Sequence, residues 1–158
     1  MSAQRFNARV PSGEIVCVAV LNGYQLAFRK RSFDGSAKCD VIETRAKEDR
    51  VYGVVYEISA DELPQLDMAE GKGFGYERRA VRVTAQGGTA MFAECYFATD
   101  IGAGTAPYSW YLYHVLTGAQ QERLPAWYIA RIASVACMPD VDTQRSAREL
   151  AIYANEDA

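Results

Sequence analysis

Residues 59–76 read S-A-D-E-L-P-Q-L-D-M-A-E-G-K-G-F-G-Y, and this stretch decides the fold. Ser59 and Glu62 stand in the spacing of a capping box and predict a helix over 60–70. Leu63, Leu66 and Glu70 fall at i, i+3 and i+7, on one helical face. That face has to be buried, so it carries a carboxylate inward. A buried carboxylate is costly unless it is paired or protonated. Its apolar neighbours and the negative end of its own helix both favour the neutral acid. A Gly-rich turn and Tyr76 follow at once. An expensive acid at the mouth of such a turn points to chemistry. The G-x-G-x-G run of 71–75 follows a helix and precedes a strand, the wrong order for a dinucleotide fingerprint, so its glycines serve backbone geometry.

Outward from this helix the chain reads as strands on both sides. Residues 14–21 (E-I-V-C-V-A-V-L) form an apolar run typical of a strand buried on both faces. Asn22-Gly23 marks a tight turn into a partner strand over 24–31. A polar loop over 32–38 leads to a short strand at 39–44, a charged turn, and an apolar strand at 51–58. Downstream, 76–84 alternates with Val81 and Val83 on one face. Gln86-Gly87-Gly88 turns it back into a strand over 89–99. After a Gly/Ala/Pro-rich loop, helices are expected over 109–121, 125–137 and 142–154. Pro125 starts the second of these and Pro139 closes it. Six strands with one inserted helix, followed by helices, give an α+β class. The strands are close enough in sequence to curl into a small, barrel-like mixed sheet with flanking helices.

The bulk numbers narrow the function. The 158 residues make one domain, long enough for a real core. A net charge of −3 gives no basic surface for nucleic acid or an anionic membrane. No apolar run reaches a transmembrane length, and the N-terminus lacks a signal-peptide core, so a cytoplasmic, disulfide-free protein is expected. Cys17, Cys39, Cys95 and Cys137 are scattered and read as buried reduced thiols. With His114 the only histidine, no metal site is expected. His114 itself reads as a packing or helix-surface residue. Arg29-Lys30-Arg31 reads as a solvated strand end, and Asp67 as a structural carboxylate.

The order of these motifs resembles the gamma-glutamylcyclotransferase, or AIG2-like, family. Val51-Tyr52-Gly53-Val54-Val55-Tyr56 matches its V-x-G-V-[VL]-[YW] strand. Leu66-Asp67-Met68-Ala69-Glu70-Gly71 matches its L-D-x-x-E-G helix end, with Tyr76 following. Tyr111, Gly118-Ala119, and Leu124-Pro125 with Tyr128 match its late part in style. The resemblance covers about residues 1–140, taken as one domain, with 141–158 as a C-terminal helix packed on it. It implies cyclisation of a γ-glutamyl amine or amino acid to 5-oxoproline, of the kind used in glutathione metabolism. Glu70 is then the general acid/base, and Tyr76 and Tyr111 contact substrate. The implied partner is a small γ-glutamyl compound. No cofactor, metal, nucleic acid or membrane is implied, and the chain is expected as a monomer or homodimer.

In the family a first strand and a Y-G-S-N loop precede a segment like S-x-x-R-x-x-x-R, which here is residues 2–9. Met1 therefore falls on the last position of the loop motif. One expectation is a true start further upstream. Another is a non-catalytic ligand-binding or interaction domain on the same scaffold. A third is that a neighbouring chain supplies the absent strand.

Overall fold

The structure, a computed structural model, describes residues 2–102 and 104–154. It is α+β, as expected. The chain opens with a short helix, α1 (Ala3–Asn7), capped by the Ser2 hydroxyl, which accepts from the Arg5 N–H. Six strands follow: β1 (Glu14–Asn22), β2 (Tyr24–Arg31), β3 (Ala37–Glu43), β4 (Arg50–Glu57), β5 (Tyr76–Ala85) and β6 (Ala90–Ala98). Helix α2 (Leu63–Glu70) is inserted between β4 and β5. Helices α3 (Ser109–Gln121), α4 (Ala126–Ala133) and α5 (Thr143–Leu150), with a final turn at Ala151–Tyr153, complete the chain.

The strands form two antiparallel sheets, β4-β1-β5-β6 and the β2-β3 hairpin. The sheets lean together without closing a hydrogen-bonded barrel. Asp40 on β3 accepts from the N–H of Ala98 on β6, the Arg31 N–H on β2 donates to the Asp100 carbonyl, and the Gly102 N–H donates back to the Arg29 carbonyl. Along β5 the alternation holds, because Val81 and Val83 are buried while Arg82 is exposed. These valines pack with Ala19, Leu21 and Phe97 in one core cluster. A second cluster, Leu112, Ala119, Leu124, Tyr128 and Ile132, seats α3 and α4 against Val18, Leu26, Phe28 and Tyr52.

Several sequence expectations need correction. β1 is not buried on both faces: Ile15 and Val16 are 44% and 49% exposed, and only its C-terminal half enters the core. The capping box does not form. The Glu62 carboxylate accepts instead from the Ser12 N–H and hydroxyl, and the Ser12 hydroxyl accepts from the Ser59 N–H. Helix α2 therefore starts at Leu63, with Pro64 in its first turn. Helix α4 ends at Ala133, because Met138 is drawn into a parallel bridge beside Tyr108. Cys137 is exposed and the other three thiols are half-buried; all four are free.

Candidate active site

Helix α2 delivers Glu70 to its last turn, where Gly71 ends the helix. Gly71 adopts φ +67°, a left-handed conformation that lets its N–H and that of Lys72 bond back to Met68 and Asp67 carbonyls. Leu63, Leu66 and Glu70 share the inward face, and all three line one cavity of about 670 Å³. The cavity runs between β4, the β2-β3 hairpin and α3, and most of its wall is apolar side chain. The Glu70 carboxylate is 16% exposed, and its Oε1 accepts from an Arg9 guanidinium N–H at 2.9 Å. The acid is therefore neither solvent-bathed nor isolated. Its contact with Arg9 offsets the burial cost that the sequence left open.

Tyr76 and Tyr111 line the same cavity from β5 and α3. Both hydroxyls hold the backbone of Cys39 on β3. Tyr76 donates to the Cys39 carbonyl at 2.7 Å, and Tyr111 accepts from the Cys39 N–H at 3.1 Å. The two rings so differ in what they can still offer. Tyr76 has spent its proton and keeps lone pairs, while Tyr111 retains a proton. Burial pushes both phenols far above their ordinary range; for Tyr76 the charges of Cys39, Glu70 and Asp40 add to it. Both stay neutral hydrogen-bonding groups at any working pH. The arrangement can hold a small polar molecule against a carboxylate in a mostly apolar chamber.

The remaining sequence candidates fall elsewhere. Asp67 accepts from the Tyr96 hydroxyl and from Lys72, with Arg78 behind it, and these contacts hold its carboxyl below the usual range. It ties α2 to β6. His114 is 1% exposed, lies in the cavity wall, and is bonded to Arg5 and Tyr153. Arg29 is no solvated strand end: it pairs at 2.6 Å with Asp40, which is 2% exposed and also lines the cavity. Lys30 is buried over the Tyr76 ring, and only Arg31 of the three is well exposed.

Sequence reasoning missed Arg9 as the partner of Glu70, and Cys39 as the tyrosines' anchor. The four-residue spacing of Arg5 and Arg9 was the visible sign that both face one way. Nothing local marks Cys39, since both its contacts cross between distant segments. No group of three or more His, Cys, Asp or Glu among the described residues could hold a metal ion. No helix among them is long and apolar enough to cross a membrane.

The sequence model of the AIG2-like family matches residues 50–132, a little over half of the chain, and includes α2 and both tyrosines. The chain belongs to the AIG2-like family. Solved structures agree on the fold. A structure described as gamma-glutamyl cyclotransferase superposes with a TM-score of 0.79 at 24% identity, over 87% of this chain and 83% of that one. The uncharacterized protein loc79017 from Homo sapiens gives 0.79 at 25% identity, with the same coverage. YkqA from Bacillus subtilis gives 0.61 at 22% identity, over 84% of this chain and 48% of that one. No curated protein matches the sequence.

Proposed function

We propose that this AIG2-like chain cyclises a small γ-glutamyl compound to 5-oxoproline, with Glu70 moving the proton. The observation that carries this reading is the placement of the Glu70 carboxylate in the cavity wall beside two neutral tyrosines. The substrate's own α-amine attacks its γ-carbonyl carbon, so one N–C bond forms within a single molecule. The amide C–N bond then breaks and frees the amine. Because nucleophile and electrophile arrive joined, the protein needs only to hold them in a folded pose.

A free amine is protonated near neutral pH, so the reaction needs a base first. The Glu70 side chain, held by Arg9 in the cavity wall, is the group placed to serve as that base. It takes the proton from the attacking nitrogen and returns one to the departing nitrogen. Tyr76 offers lone pairs to the substrate ammonium, and Tyr111 offers its proton to an oxygen as charge develops there. The likeness to a structure described as gamma-glutamyl cyclotransferase supports the choice of reaction.

The test is 5-oxoproline release by the purified chain from γ-glutamyl-alanine. Glu70→Gln keeps the shape and removes the base, so turnover should fall about 10²- to 10⁴-fold. Unchanged turnover in that variant would end the proposed role.

A further inference from the structure

Lys30, in β2, is 9% exposed, and its Nζ makes no hydrogen bond or ion pair among the described residues. A buried polar group without such a partner costs free energy, so something has to offset it. Two rings do. Nζ lies 5.4 Å from the centroid of Tyr76 and 6.0 Å from that of Phe33, within the range of a cation–π contact. Phe33 is fully exposed, so the sheltered contact is the one with Tyr76. Gly75 makes room for it. A Cβ there would stand 2.8 Å from Cε of Lys30 and 3.0 Å from its Nζ. The neighbouring strand repeats the arrangement. Lys38 is the register partner of Lys30 on β3, and its Nζ lies 4.6 Å from the Tyr111 centroid. Lys38 differs in being bonded to Asp34 and Ser36 as well. The hydroxyls of both tyrosines end on the backbone of Cys39, the residue after Lys38. Each site ring is thus held at its tip by Cys39 and over its face by a lysine of the hairpin.

We propose that Lys30 is a positioning residue for Tyr76, seated beside Gly75 so that it fixes the ring and the Tyr76–Cys39 hydrogen bond. Its consequence for turnover rests on the cyclisation reading, in which Tyr76 receives the substrate ammonium. Lys30 does not line the cavity, so it acts through Tyr76 alone. A cation over the ring face draws electron density from the phenol and strengthens the bond its hydroxyl donates to the Cys39 carbonyl.

Lys30→Met keeps an unbranched side chain of similar length and removes the amine. It should raise KM for γ-glutamyl-alanine about tenfold, the scale of one sheltered cation–π contact, with kcat unchanged. Its Tm should not fall, because an apolar side chain replaces a buried group that had no hydrogen-bond partner. Gly75→Ala leaves Lys30 in the chain but pushes its side chain off the ring, and should raise KM in the same way. Neither change should add to the effect of Tyr76→Phe, which removes the bond through which Lys30 acts. The NMR resonance of the Tyr76 phenol carbon, Cζ, reads the contact without any turnover. It should move in both variants, while that of Tyr111 stays. An unchanged KM in both variants, a Tm of Lys30→Met that falls with its activity, an effect that persists in Tyr76→Phe, or an unmoved Tyr76 resonance would overturn the proposal. A resonance that moves in a protein that turns nothing over would keep the positioning role and remove the cyclisation reading. Turnover that requires Glu70 but ignores Lys30 would do the reverse.

Discussion

At the scale of single residues, the site depends on groups that constrain one another through shared partners. Arg9 fixes Glu70, and the Cys39 backbone fixes both tyrosine hydroxyls. Tyr111→Phe removes the acceptor for the Cys39 N–H and leaves that donor buried. It should cost about 1–3 kcal/mol of unfolding free energy in a urea titration, along with activity if Tyr111 donates to substrate. Leu66 was legible from spacing alone and is 8% exposed in the structure. Leu66→Ala should cost about 2–4 kcal/mol and loosen the face that carries Glu70. Arg9 was not legible as a site residue. Its role depends on a contact across 61 positions of sequence, which no local pattern encodes.

Among the elements, α2 is short, and most of what it does is end in the right place. Its stop is set by Gly71, whose positive φ suits a residue without a Cβ. A Cβ there would meet nothing within 4 Å, so the penalty for Gly71→Ala is purely conformational. We expect about 1 kcal/mol, read as a fall of a few degrees in Tm. A loss of turnover larger than the loss of folded protein would show that the turn aims Glu70. The start of α2 teaches the opposite lesson. A capping box was written at residues 59 and 62, but Ser12, from the segment between α1 and β1, took the Glu62 carboxylate. A side chain brought in by tertiary structure outcompeted a local bond of similar strength.

Over the whole molecule, polar bonds hold the C-terminal segment, and α5 contributes no buried residue. Asp140 accepts from the Trp110 indole and pairs with Arg145. Glu149 pairs with Arg5, and Tyr153 bonds both Ser2 and His114. Arg5 donates to Nε2 of His114, so the neutral ring carries its proton on Nδ1 and gives it to Tyr153. Burial, and then the Arg5 charge, pushes His114 down to about 4. The unfolded chain takes up this proton at about 6.5. Between those values the unfolded state holds more protons, so stability falls as pH falls. Glu149 is held below its ordinary range despite its burial, chiefly by Arg5, and it acts in the same direction further down. Thermal melts should show Tm declining from pH 7 toward pH 4.5, and His114→Phe should flatten the upper part of that slope. An identical slope in the variant would assign the titration to other groups.

The α+β class, all six strands, α3 to the residue, and the Leu63, Leu66, Glu70 face followed from the sequence, because periodicity and turn chemistry are local properties of neighbouring residues. Tertiary structure alone decided that β1 half-faces solvent, that α4 stops when Met138 joins Tyr108, and that Glu70 pairs with Arg9. Each of these depends on which distant segment arrives as a neighbour. That is settled by the packing of the whole chain and by the pairing of buried charge, neither of which is written in any short stretch of sequence.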